Sequence, residues 1–218
     1  VDTSRKNLRT FYAIVATQTL SMLGSRLSGL AVGFEVYRNT GEATPLLLVS
    51  LFSMLPNIFA ASIGGMLADR WDRRKLMLVS DAGQALCSLL LLISFASGAF
   101  QLWHLYAMVV LSQVLSAMQG PAFAASITML VPEEQRDRAN AITQLSRPSA
   151  GIIAPVLSGI AYSAVGVVGT IAIDLATFLI AAAVFMRLDI PMPARPEAHS
   201  QSGEGLLRSL AGGFRFLW

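Results

Sequence analysis

Charge is what this 218-residue chain has least of: Asp, Glu, Lys and Arg together make up 13% of it. No charged residue occurs from Ala43 to Ala68, and a run of 51 residues from Ala82 to Pro132 is again free of them. A soluble domain clothes its whole surface in charge, and this chain cannot do so. Cysteine is almost missing too; Cys87 stands alone in an apolar run, which excludes an intramolecular disulfide and reads as a small packing residue. His104 and His199 are isolated, so no Cys/His cluster can hold a metal. There is no glycine-rich phosphate loop, no pair of active-site carboxylates and no nucleophile beside a base. An enzyme, a metal site and a bound cofactor are therefore not indicated. The net charge of +3 is not gathered into a basic arm or tail, so nucleic acid is not an expected partner.

What is present is apolar. With 54% hydrophobic residues and a mean hydropathy of +0.60, the chain reads as an all-α integral membrane protein whose partner is the lipid bilayer. The 51-residue uncharged run, at about 1.5 Å per residue, is roughly twice the hydrocarbon thickness and must hold two spans. Gly, Gln, Trp103 and His104 within residues 97–104 mark the break between them. Helix 1 is predicted over 10–37, and a turn over 38–44 leads to helix 2, which starts at Pro45 and is expected to kink at Pro56-Asn57. Helices 3 and 4 flank the 97–104 break, and a polar loop over 132–138 precedes helix 5 at 139–165. Gly166 and Gly169 turn the chain into helix 6, which reaches Arg187. Residues 191–205 form a Pro/Ser/Gly-rich linker, and Leu206, Leu207, Leu210, Phe214 and Leu217 recur at the spacing of an amphipathic helix on the inner leaflet. The resulting organisation is a six-helix bundle over 1–187 and a cytoplasmic segment over 188–218. Thirteen basic residues flank the spans on one side and only Arg38 on the other, which places both ends in the cytoplasm.

Between helices 2 and 3 lies a densely charged hinge, residues 64–75. Its pattern Gly65-x-Leu67-Ala68-Asp69-Arg70-x-x-Arg73-Arg74 resembles the loop 2–3 signature of the major facilitator superfamily, with Asp72 where many members have a second glycine. Together with Gly-Phe-Arg-Phe-Leu near the end of the chain, the pattern is most similar to the exporter branch that contains the enterobactin exporter and the macrolide and multidrug effluxers. The resemblance implies six transmembrane helices arranged as two inverted three-helix repeats. It further implies that this is the N-terminal half of a longer transporter, with a C-terminal half as its partner. In the resemblance the hinge residues Gly65, Asp69, Arg70, Arg73 and Arg74 act as a conformational switch. Asp69 itself sits at the negative end of its helix, where a carboxylate needs a partner.

Helix 5 carries Gly151, Ala154, Pro155, Ser158 and Gly159, whose small residues would let another helix approach closely. The stretch resembles the fifth-helix signature of antiporters, with Ala154 and Ser158 in place of two glycines. On helix 4, Gln113, Ser116 and Gly120 share a face beside Gln119, and Ser116 stands where the family signature has an arginine. Ionisable groups inside a membrane helix are costly enough to require a partner or a wet cavity. Gln18 and Arg26 on helix 1, Gln113, Arg147 and Asp174 are therefore candidate cavity or coupling residues. Arg26 and Arg147 would meet an anionic or polar substrate and Asp174 would titrate, or Asp174 would pair structurally with an arginine. Asp81 reads as a structural partner of the hinge arginines.

The function implied by the resemblance is secondary export of a small molecule, a siderophore such as enterobactin or a drug, across the bacterial cytoplasmic membrane in exchange for protons. The membrane domain of an ATP-driven transporter and a non-transporting membrane scaffold are the alternatives. The loops are too short for the long cytoplasmic extensions of the first, and the charged hinge and buried polar groups argue against the second. The orientation has a direct test. Single cysteines introduced at Arg73 and Glu42 are expected to differ toward an impermeant thiol reagent added outside intact cells, with only the Glu42 site labelled; equal labelling would refute it.

Overall fold

The computed structural model describes residues 2–56 and 73–187, with side chains from residue 8 onward other than those of residues 73, 74, 122, 125–129 and 147. Gly65, Asp69 and Arg70 of the hinge, the continuation of helix 2 beyond Pro56 and the segment 188–218 lie outside the described residues. All described secondary structure is helical: α1 spans Asp2–Thr40, α2 is described over Thr44–Pro56, α3 spans Arg73–Ala96 and α4 spans Leu102–Leu130. A single 3-10 turn, Glu133–Gln135, leads into the helix Arg136–Arg187. That helix breaks at Gly166, whose φ of 68° and ψ of −174° are non-helical, so we label 136–165 as α5 and 167–187 as α6. Helix α1 runs further at both ends than the predicted 10–37. Residues 2–9 are polar but adequate helix formers, and a helix need not stop where its apolar stretch does.

The chain reverses at glycines on one side of the bundle. Gly41, with φ 69°, donates its amide to the carbonyl of Tyr37 at 2.8 Å and closes α1 in the left-handed conformation that favours glycine. Gly98 has the same φ after α3. The 97–104 break is thus a real turn between α3 and α4.

Two apolar clusters show how the helices alternate. Phe11, Ile14 and Val15 of α1 pack with Leu76 and Met77 of α3, Leu130 of α4, Ala139 of α5 and Phe185 of α6. At the other end, Val32 and Val36 of α1 and Ile171 of α6 pack with Leu105 of α4, flanked by Val49 of α2 and Phe95 of α3. Helices α1, α3 and α5 therefore run one way and α2, α4 and α6 the other. Arg9, Lys75, Arg136, Arg138 and Arg187 consequently gather at the Phe11 end, while Glu35, Arg38 and Glu42 lie at the opposite end. Helix α1 packs mainly along the α5–α6 hairpin, and α3 packs against α4 and that same hairpin.

The outside of the bundle is apolar. Leu47, Met54, Leu145, Ile152, Val156 and Ile160 are exposed, Ile152 to 77%. Water would penalise such a surface and lipid would not. Between the two clusters the interior is polar instead, with Thr17, Ser21, Ser28, Ser80, Asp81, Ser88, Ser158, Asp174 and Thr177 all buried. By length and composition Lys75–Ala96 and Glu133–Arg187 are long and apolar enough to cross a membrane, and Thr44–Pro56 is apolar but shorter. Of the remaining helices, α1 and α4 carry cavity-lining Ser and Gln side chains, which lower their hydropathy.

Close packing of α1 on α6 depends on Gly24. A Cβ there would fall 3.2 Å from Asp174 Oδ1 and press on the Thr177 hydroxyl, whereas at Gly29, one turn further on, it would meet nothing within 4 Å. Gly24→Ala is expected to destabilise the intact protein by about 1–3 kcal/mol through overpacking. Gly29→Ala should be neutral or stabilising by up to about 1 kcal/mol through helix propensity. Thermal unfolding in detergent measures both, and equal midpoints for the two variants would show that α1 and α6 do not pack in this way.

Candidate functional site

The polar interior surrounds a cavity of about 380 Å³ between α1, α3, α4 and α6, with contributions from α2 and α5. Its wall on α1 includes a stripe of Gln18, Ser21, Ser25, Ser28 and Val32, flanked by Val15, Thr19, Met22 and Gly29. Residues three, seven and ten positions apart lie within one narrow face of a helix, so this stripe is what the sequence spacing dictates. Helix α3 supplies Gln84, Ser88 and Leu91 at matching spacing, together with Cys87. Helix α4 supplies Ser112, Gln113, Ser116, Gln119 and Gly120. The face of helix 4 predicted from the sequence, Gln113, Ser116 and Gly120 with Gln119 beside it, thus lines the cavity.

Two carboxylates anchor this interior. Asp174 on α6 is 4% exposed; Ser25 of α1 donates to its Oδ1 at 3.0 Å and Ser88 of α3 donates to its Oδ2 at 2.6 Å. One side chain thereby ties three helices. Asp81 on α3 is 1% exposed; Gln18 of α1 donates to its Oδ2 at 3.3 Å and Gln119 of α4 donates to its Oδ1 at 2.7 Å. Gln84 in turn donates to Gln119 Oε1 at 3.4 Å and to the Ser80 carbonyl at 3.2 Å. Each buried carboxylate therefore has both oxygens satisfied by neutral donors, which lowers the cost of burying it without supplying a counter-charge.

In a structural role Asp174 is predicted to pair with an arginine, and of the two arginines placed inside helices by the sequence, Arg26 is described and does not reach it, while the side chain of Arg147 is outside the described residues. Arg26 follows Ser25 directly, about 100° round the helix, so the geometry that aims Ser25 at Asp174 turns Arg26 away. Its side chain is exposed, one guanidinium nitrogen lies 3.5 Å from where a Cβ on Gly151 of α5 would be, and it does not line the cavity. Asp81 accepts from the amides of Gln18 and Gln119, while the side chains of the hinge arginines, its predicted partners, lie outside the described residues. Its two oxygens are aimed at α1 and α4, inside the bundle. Of the other candidates, Gln18, Gln113 and Asp174 line the cavity. The side chain of Arg147 is outside the described residues, as are those of Arg73 and Arg74, which open α3.

The small residues of α5 divide between two environments. Ala154 and Ser158 are fully buried, and Ser158 donates to the carbonyl of Leu27 at 2.9 Å, so this part of the seam brings α5 against the α1 backbone. Pro155 and Gly159, about 100° round the helix from these, are exposed, and Gly151 is half-buried beside Arg26. Nearer the glycine-turn end, the Tyr162 hydroxyl donates to Glu35 Oε2 at 2.5 Å, and Glu35 also receives Arg38 at 3.1 Å and Asn39 at 3.1 Å. His104 is an intrahelical and turn ligand, its Nδ1 accepting from the Gln101 amide at 3.1 Å.

Sequence reasoning missed Ser88, Gln84 and Cys87 as cavity residues. The signal was present in the seven-residue step from Asp81 to Ser88, which repeats the step from Gln18 to Ser25. Nothing in one sequence says that the two steps face each other.

The arrangement is a membrane bundle with a polar, carboxylate-bearing interior, and comparison with known proteins agrees with it. The family model described as Major Facilitator Superfamily matches residues 14–218. Macrolide efflux protein A of Streptococcus pyogenes is 29% identical over 181 residues, covering 83% of this chain and 45% of that protein. The multidrug efflux pump Tap of Mycobacterium tuberculosis is 26% identical over 215 residues, 95% of this chain and 50% of the pump. The uncharacterized MFS-type transporter YfiS of Bacillus subtilis is 27% identical over 219 residues, 97% of this chain and 50% of its own length. The chain thus spans about half the length of the curated relatives it matches. With the family match running from the first turns of α1 through residue 218, the chain belongs to the Major Facilitator Superfamily.

Proposed function

We propose that this chain is the N-terminal half of a bacterial secondary exporter, which moves a small molecule out across the cytoplasmic membrane by alternating access in exchange for protons. In this reading α1–α3 and α4–α6 are inverted three-helix repeats, six spans cross the membrane, and both ends face the cytoplasm. The gathering of Arg9, Lys75, Arg136, Arg138 and Arg187 at one end of the bundle supports that orientation. The efflux functions named for the relatives support export, and their double length supports a C-terminal partner half. The hinge containing Asp69 and Arg73 would stabilise one state of the alternating cycle.

The observation that carries the coupling is Asp174, a buried carboxylate on the wall of a polar cavity, bridged to α1 and α3 by neutral serines. A carboxylate in that setting can gain or lose a proton without breaking an ion pair among the described residues, and each change alters what three helices hold in common. The cavity lining contains no Lys, Arg or His among the described residues. A neutral or cationic drug therefore suits it better than an anionic siderophore such as enterobactin. Arg26, exposed on α1, stands outside this lining and is available to a surface contributed by the partner half.

The test uses the intact transporter in a bacterium lacking its own drug pumps, with erythromycin accumulation as the readout. Expression is expected to lower accumulation, a protonophore to abolish the effect, and Asp174→Asn to abolish it while erythromycin binding to the purified protein persists. Undiminished efflux by Asp174→Asn would remove that residue from the coupling. Efflux that survives the protonophore and follows ATP would reject proton exchange, and export of enterobactin in preference to erythromycin would reverse the substrate assignment.

A further inference from the structure

Helices α1 and α3 run in the same direction, since the beginnings of both lie in the Phe11 cluster. They present polar side chains in the same register: Gln18, Ser21 and Ser25 on α1, and Asp81, Gln84 and Ser88 on α3. The lower rung is closed by Gln18 on Asp81, and the upper rung by Ser25 and Ser88 on Asp174. Seven residues separate the rungs on each helix, which puts the two carboxylates about 10 Å apart along the bundle. Ser21 and Gln84 lie between them, and both line the cavity, as do Gln18 and Gln119 of the Asp81 shell and Asp174 itself. Met77, one turn before Asp81, belongs to the cluster at the basic end, and Ile171, one turn before Asp174, belongs to the cluster at the glycine-turn end. Asp81 is thus the carboxylate nearer the basic end.

We propose that Asp81 is a second proton-binding group, joined to Asp174 by water in the cavity, so that the α1–α3 ladder is a two-station proton path. The proposal rests on the proton-exchange reading above and extends it to a residue that reading does not use. The step is a simple transfer: the Asp174 carboxyl gives its proton to a cavity water, and a proton from the water chain passes to the Asp81 carboxylate, which lies just behind the lining and meets water when Gln18 or Gln119 swings aside. Asp174 is left ionised, Asp81 neutral, and the total charge of the interior is unchanged. That conservation matters, because the interior has no cation among the described residues to balance two ionised carboxylates at once. The groups facing Asp81 are the amides of Gln18 on α1 and Gln119 on α4; those facing Asp174 are the hydroxyls of Ser25 on α1 and Ser88 on α3. Cys87 is the one other titratable group in the lining among the described residues. A polar cavity of this size holds several waters with partners for each, which is what a path of about 10 Å requires.

Infrared difference spectra of the intact transporter in lipid bilayers, taken between alkaline and acidic pH, read the carbonyl stretch of each protonated carboxyl directly. Subtracting Asp81→Asn from the parent is expected to isolate one band that shifts in deuterated water, and subtracting Asp174→Asn a second. In Asp174→Asn the Asp81 band should also titrate at a different pH, because its neighbour no longer carries charge. Asp81→Glu should restore a displaced band, which guards against a variant that merely fails to fold. A band from Asp174 alone would leave proton exchange standing and overturn the two-station path, since an Asp81 that never protonates is only an anchor. A band from Asp81 alone would overturn the path as well. No band from either would overturn both the path and the proton-exchange reading beneath it.

Discussion

The structure depends on one constraint: a hydrogen-bonding group in the middle of a lipid-facing bundle has no water on its outer side and must be satisfied from within. Asp174 shows the consequence. Its two oxygens are met by Ser25 and Ser88 from different helices, and this is possible only because Gly24 lets α1 lie close to α6. Asp81 repeats the solution with amides from α1 and α4. An isolated ionised carboxylate without such donors would cost several kcal/mol or would simply take up a proton.

Around this middle layer the two apolar clusters act as lids. Phe11, Leu76, Met77 and Phe185 close the basic end, and Val32, Val36 and Ile171 close the other, all of them nearly inaccessible. Among the described residues the buried polar middle layer thereby lies between two apolar ends. The outer surface carries leucines and isoleucines while serines and glutamines line the cavity between the apolar clusters, and lipid is the solvent in which such a surface is stable.

The α1–α5 seam is the second organising contact. Ser158 gives its hydroxyl to the Leu27 carbonyl and Ala154 is buried beside α1, while Tyr162 reaches Glu35 nearer the glycine-turn end. Small residues on α5 thus serve packing inside this chain, and Pro155 and Gly159, next round the helix from the buried pair, are left exposed. The seam that resembles an antiporter signature thus packs α5 against α1 within this chain. Arg26 is placed by the same packing, at the edge of α1 that meets Gly151.

Most of the fold was legible from the residues themselves. Uncharged runs and their interruptions located the α3–α4 turn at 97–104, the polar loop before α5 and the Gly166 break, because hydropathy and backbone freedom are local properties. The stripe on α1 and the face of α4 were legible for the same reason, since helical periodicity needs only one segment. The partners of the buried charges were not. Arg26 and Asp174 seemed suited by depth and sign, yet one residue of rotation on α1 separates Ser25, which reaches the carboxylate, from Arg26, which turns toward α5. The oxygens of Asp81 are taken by Gln18 and Gln119, which lie 63 and 38 positions away in the chain. Rotation about the helix axis and register between helices are set by how all the packed surfaces fit together, and no single segment carries that information. The sequence by itself determined that polar groups must be enclosed; only the tertiary structure decided which of them meet.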